Sequence, residues 1–209
     1  PFGEDFGKVS CDLGLVVSND GIRFRDPAAA PGRIFIHRDD SPATPVPGHS
    51  FNTILCQGNG ILNVGNETRI YHDRWRNVGQ DAKTIAAYYS GEVALATLPR
   101  DRWGKLVLIP DVNEGTVCST LISLPAKQAA LTLNADGVAG ITVDLLTEQF
   151  QPIPGFTGGQ VAGADGFDGP VQWKGHTLKK LGDSAVRIHI RMRRINNASP
   201  CLYAINLKG

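Results

Sequence analysis

Several things are scarce in this chain, and each scarcity removes a class of function. No apolar run approaches the roughly twenty residues a helix needs to cross a bilayer, and no signal-peptide pattern opens the sequence. A membrane is therefore not expected as a partner. Net charge is nearly absent: 21 Lys and Arg against 20 Asp and Glu leave +1. The one basic cluster, Arg187–Arg194, alternates with apolar residues, which is the pattern of a solvated strand face. With no basic stripe interleaved with aromatics, nucleic acid is not expected as a partner either. Cys11, Cys56, Cys118 and Cys201 are far apart and include no C-x-x-C pair, so a cysteine metal cluster is not expected. Buried free thiols are the expectation, with a disulfide left open. An initiator Met is also missing. The opening PFGEDFGKVS reads as that of a processed product or a fragment, with active-site residues on a segment outside it.

Glycine and proline are plentiful, 24 and 13 residues, and they fall at the ends of apolar stretches. Hydrophobic residues make up 42%, ample for a packed core. The clearest periodicity lies between Leu131 and Leu207. Ile141, Val143 and Leu145 alternate with Thr142 and Asp144; Val186, Ile188 and Ile190 alternate with Arg187, His189 and Arg191. Both read as strands with one buried face. Pro152, Pro154 and Gly155 force a turn between them. With KLVLIP, TVCSTLISL, ALTLNADG, VQWKG and CLYAINL, seven or eight antiparallel strands predict a jelly-roll-like β-sandwich over residues 106–209.

Residues 1–105 have a different rhythm. Leu13–Phe24 reads as a hairpin around Asn19-Asp20-Gly21, because the turn positions favour positive φ. Residues 27–48 hold Pro27, Pro31, Pro42, Pro45 and Pro47, and read as a long loop of functional or lid-like character with one short strand, RIFIH. ILCQGNGILNVG reads as strand, glycine turn, strand. NETRIYHDRW follows a Gly65-Asn66 turn, and TIAAYYS and EVALATL read as two strands around Gly91. About four short strands over some fifty residues match one β-propeller blade. Leu13-Gly14-Leu15-Val16 before Asp20-Gly21-Ile22 is echoed by Val93-Ala94-Leu95-Ala96 before Asp101-Arg102-Trp103, as adjacent blades would be; two unrelated hairpins are the alternative. The expected fold is all-β: about two blades of a partial propeller, then the sandwich.

The series DLGLVVSNDGIRFRDP, ILNVGNETRIYHDRW and GEVALATLPRDRWG, followed by LNADG, PIPGF, VQWKG and LYAINL, resembles the C-terminal part of bacterial glycoside-hydrolase-like proteins. These are the five-bladed β-propeller group, akin to families 32 and 43, with a C-terminal β-sandwich. The resemblance implies a carbohydrate partner, no cofactor, and a secreted or periplasmic location. It also implies a funnel site whose three carboxylates come from earlier blades, so that an N-terminal partner polypeptide or a second copy would complete the ring. No W-M-N-D-P-N-like nucleophile motif is present, and Arg25-Asp26-Pro27 after the Ser-Asn-Asp-Gly hairpin reads as a blade-edge turn.

Glycoside hydrolysis needs two carboxyl groups, about 5–5.5 Å apart for retention or about 6.5–9.5 Å for inversion. Asp12, Asp73 and Glu92 lie near strand ends, and Glu92 and Asp73 are the catalytic candidates. The structural alternatives are an exposed turn glutamate and an Asp73–Arg74 surface pair. Trp75 and Tyr71 offer flat apolar faces to a sugar ring, and Arg74 and His72 offer donors. Strand alternation puts Tyr71, Asp73 and Trp75 on one face and His72 and Arg74 on the other. His49, Asn52 and Gln57 border the ILCQGNG strand; His49 either orients a ligand or caps the loop. The substrate-binding candidates are His49, Gln57, Arg74 and Trp75. Asp165 and Asp168 in GADGFDG lack EF-hand spacing and read as a hairpin tip, and no metal is expected. Asn66 and Asn197 open glycosylation sequons.

Overall fold

The structure, a computed structural model, describes residues 9–27, 34–76, 83, 87–124 and 130–208. The opening PFGEDFGK, Pro31 and residues 84–86 of the TIAAYYS stretch lie outside the described residues. The described chain is all-β with short helical turns, and divides into two compact units, Pro1–Thr97 and Leu98–Gly209.

In the first unit, β1 (Leu13–Gly14) pairs with β4 (Ile34–Ile36), and β2 (Val17–Ser18) with β3 (Phe24–Arg25), all antiparallel. The expected hairpin forms with a longer loop than Asp-Gly alone requires. Asp20 Oδ1 accepts the Ile22 and Arg23 amides at 2.9 and 2.7 Å, and Gly21 takes the positive φ of 71°. These bonds hold the exposed Asp20 carboxyl below its ordinary range. A three-stranded sheet follows in the order β5 (Ile54–Val64), β6 (Glu67–Arg76), β7 (Ser90–Pro99).

Three long strands replace the four short ones read from the sequence. The QGNG stretch is not a turn: β5 runs through it with a bulge between Gln57 and Gly60. A Cβ on Gly58 would stand 2.6 Å from the Tyr71 carbonyl oxygen, so glycine here permits close backbone approach. Gly91 likewise lies inside β7, and Ala87 and Tyr88 are helical, not extended. The Gly65 turn is as expected, with φ of 59°.

The second unit holds nine strands in one curled antiparallel sheet. They are β8 (Leu106–Val107), β9 (Glu114–Cys118), β10 (Ile122–Ser123), β11 (Ala130–Asp136), β12 (Ile141–Leu146), β13 (Gly159–Val161), β14 (Gly166–Gln172), β15 (Ala185–Arg193) and β16 (Cys201–Lys208). The order is β10-β15-β12-β13-β14-β11-β16-β8, with β9 also paired to β15. TVCSTLISL is split into two strands on either side of Ser119–Leu121. The alternation in β12 and β15 is as read: Val143, Leu145, Val186, Ile188 and Ile190 are at most 1% exposed. Trp173 packs edge-on to Phe156 and donates its indole N–H to the Val143 carbonyl at 3.0 Å. Gly159 makes room for it, since a Cβ there would lie 2.5 Å from the indole nitrogen.

Arg100 and Arg102 explain why the unit begins before residue 106. Arg102 forks onto Asp136 at 2.8 and 2.9 Å and lies over the Tyr203 ring, while Arg100 binds Asp168. Asp168 is therefore a strand residue in an ion-pair network with Lys208, not part of a hairpin tip. The cysteines are free thiols, but not buried ones: Cys11 and Cys118 are exposed, and Cys56 and Cys201 half-buried.

Candidate functional site

Arg74 and Arg76 are two residues apart on β6 and so share a face. Two cations side by side in a partly buried position need an anion, and β7 supplies Glu92. Its carboxylate meets Arg74 Nη2 at 2.9 Å and Arg76 Nη1 at 3.3 Å, with its side chain 19% exposed. The Thr44 amide donates to the same carboxylate at 3.0 Å. Burial alone would raise the Glu92 carboxyl; the Thr44 bonds and the two guanidinium groups outweigh it and hold it below the usual carboxylate range.

This node fastens the proline-rich loop to the sheet. Arg76 donates to the carbonyls of Thr44, at 2.5 Å, and Tyr88, at 3.2 Å. Thr53 Oγ1 accepts the Ala43 amide at 3.0 Å, and Ser41 Oγ meets the buried His72 Nε2 at 2.8 Å. Between loop and sheet lies a cleft of about 360 Å³ whose walls include Arg38, Arg76, His49, Phe51, Asn52 and Thr53. The rings of His49 and Phe51 lie parallel, 3° between planes, and His49 approaches Tyr88 to 4.3 Å between centroids. Asp12 anchors Arg38 by accepting both its amide, at 2.8 Å, and its guanidinium, at 2.9 Å.

Of the residues singled out from sequence, Glu92, Arg74 and His72 meet on this face, and His49 and Asn52 line the cleft. Asp73 does not join them. It alternates with Arg74 along β6 and stands opposite Cys56, so the two candidate carboxylates lie on opposite faces of one sheet. Trp75 shares the Asp73 face, 3.5 Å from where a Gly91 Cβ would be. Gln57 is exposed beside the bulge, in register with His72. Burial pushes the Cys56 thiol up, reinforced by Cys11 and Asp73. Arg74 pairs with Glu92 rather than with Asp73, and Glu92 is neither exposed nor in a turn.

Sequence reasoning missed Arg38, Arg76, Phe51, Tyr88 and Thr44. A signal existed for one of them: Arg74-x-Arg76 on a strand demands a shared anion. Arg38, Thr44 and Phe51 come from the loop between β4 and β5, and Tyr88 from the helical turn before β7, whose paths local sequence does not set.

Chemically, the cleft offers guanidinium donors beside flat rings, and a carboxylate whose lone pairs are already engaged. Glu92 is fixed as an anion, suited to orienting two arginines and not to delivering a proton. Among the described residues no group of His, Cys, Asp or Glu converges on a metal position. No protein-family model, curated protein or solved structure matches this chain.

Proposed function

We propose that the chain is the C-terminal portion of a glycosidase-like, carbohydrate-active protein, and that its own role is to bind saccharide. In this reading the first unit contributes propeller-type blades and the second a jelly-roll-type sandwich. The observation that carries it is the cleft, where the stacked His49 and Phe51 rings stand beside Arg38 and Arg76. Sugars present apolar ring faces and hydroxyl rims, and aromatic faces next to fork-shaped donors complement both. An N-terminal polypeptide or a second copy supplies the missing carboxylates.

The saturated hydrogen bonding of Glu92 favours binding without cleavage. A non-catalytic carbohydrate-binding or assembly module is the second reading; upstream blades bearing two or three funnel carboxylates in the intact polypeptide would favour the first. Calorimetric titration of the 209-residue chain with fructan and arabinan oligosaccharides should show binding that His49→Ala weakens roughly tenfold, the loss of one aromatic contact. No hydrolysis of aryl glycosides should accompany it. A chain that cleaves glycosides alone, and loses that activity in Glu92→Gln or Asp73→Asn, would overturn the fragment reading. Binding of no saccharide would overturn the first reading and the carbohydrate-binding form of the second.

A further inference from the structure

The outer face of the second unit's sheet carries a constellation unrelated to the cleft. The register sets Asp144 of β12 opposite His189 of β15, and His189 opposite Cys118 of β9. Three chemistry-bearing side chains thus stand in one row across three neighbouring strands. Their sequence neighbours Val143, Ile188 and Ile190 are buried in the core, so the row faces away from it. Directly opposite residues in antiparallel strands have Cβ atoms about 4.5–5.5 Å apart, closest in pairs without ladder hydrogen bonds. Cys118 and His189 are such a pair. Ser119 N donates to the Ile188 carbonyl, and Ile188 N to Ser119 Oγ, both at 2.9 Å, which makes the adjacent 119/188 pair the hydrogen-bonded one.

The row has a direction. Asp144 is buried and accepts from Gly158 N at 2.6 Å, Arg191 Nη2 at 3.1 Å and His189 Nδ1 at 3.3 Å. An ionised carboxylate only accepts, so the neutral tautomer that satisfies this contact has its proton on Nδ1 and leaves Nε2 as the acceptor. Cys118 is exposed, on a strand paired only with β15 among the described residues. In a pair without ladder bonds its own amide N–H points to that open edge, a donor beside the sulfur. Arg187 and Arg191 flank His189 on the same face. Two to four register positions along the sheet from that row, a groove of about 330 Å³ is lined by Arg191, Arg193, Thr142 and Glu114.

We propose that Cys118, His189 and Asp144 form a thiol-hydrolase site for small esters whose acyl part ends in a carboxylate. Cys118 Sγ attacks the ester carbon while His189 Nε2 takes the thiol proton. The C–O bond breaks and the proton passes to the leaving alcohol, giving a thioester on Cys118. Water then attacks, its proton going to His189; the C–S bond breaks, the acid leaves and the thiol is restored. No electrons change hands. The Cys118 amide meets the developing oxyanion, Arg191 and Arg193 hold the acyl carboxylate, and Asp144 is a positioning residue.

The test uses the whole chain with mono-4-nitrophenyl succinate and 4-nitrophenyl acetate. Expected are many turnovers per chain, with kcat/KM at least tenfold higher for the succinyl ester. Cys118→Ser and His189→Gln should each lose at least a hundredfold, and Cys11→Ser nothing. Asp144→Asn should lower kcat with KM within twofold, and Arg193→Gln should raise the succinyl KM roughly tenfold. Release of one equivalent without turnover, or full activity in Cys118→Ser, overturns the proposal. Should His189→Gln fail to fold, iodoacetamide labelling of the wild-type chain decides: Cys118 should react at least tenfold faster than the exposed Cys11, and equal rates overturn the proposal.

Discussion

The two units are held together by different forces. Every residue of the large buried cluster, from Leu108 to Leu202, belongs to the second unit. In the first, the buried apolar residues among those described are Ala43, Leu55 and Ile70, while Ile22, Val93 and Ile61 are 82%, 73% and 59% exposed. What closes the first unit is polar: Thr44, Arg74 and Arg76 on Glu92, Ser41 on His72, Arg38 on Asp12. Apolar burial is non-directional and insensitive to protonation. A charge-assisted latch depends on geometry and ionisation, and so responds to pH and to single-atom substitutions. The contrast teaches where each unit is vulnerable.

The largest expected effect is in the apolar unit. Ile190 is fully buried, and Ile190→Ala should destabilise by about 2–5 kcal/mol in denaturant unfolding, against about 0.5–1.5 kcal/mol for Ile190→Val. A cost below about 1 kcal/mol for the alanine variant would break the contrast. Next comes the latch. Glu92→Gln leaves Arg74 and Arg76 without their anion and should cost about 1–3 kcal/mol, with amide exchange at Thr44 accelerated. Because the folded Glu92 carboxyl lies below its ordinary value, its contribution is present above the unfolded carboxyl pKa of about 4.3 and is lost as pH falls through the folded value. Acid should therefore reduce the protection of the Thr44 amide, measured against its intrinsic exchange rate at each pH, in the wild type, whereas protection in the Gln variant should not change with pH.

A smaller effect is expected at Asp136. The Arg102 bond holds its carboxyl low, and it accepts the Tyr203 hydroxyl proton at 3.0 Å. Exposure limits the loss in Asp136→Asn to about 0.5–1 kcal/mol. The same variant should lower the pKa of Tyr203, which burial and Asp136 together hold above the ordinary phenol value; ultraviolet titration reads this directly. The smallest effect belongs to the exposed apolar side chains of the first unit. Val93→Thr should change stability by less than about 0.5 kcal/mol, and a larger loss by calorimetry would mean that this face is covered.

Periodicity made β12 and β15 legible, because an alternating strand with one buried face leaves its mark residue by residue. The glycines misled. Gly58 and Gly91 read as turns, yet both lie inside strands: Gly58 permits the bulge and the close approach to the Tyr71 backbone, and Gly91 lies in ordinary contact with Trp75. Thiol burial was misjudged for a related reason: composition says what a cysteine tolerates, not which face its strand presents.

The sequence by itself determined the all-β character, the inward and outward faces of its long strands, and so which residues stand on opposite sides of a sheet. That is a two-residue rule needing no partner. Only the tertiary structure decided which carboxylate met which arginine, that Thr44 would cap Glu92 from a proline-rich loop, and that Asp144, His189 and Cys118 would align. Thr44 with Glu92 and Asp144 with His189 join residues 48 and 45 positions apart, and the register of such pairings is set by the packing of whole strands, which no local pattern encodes.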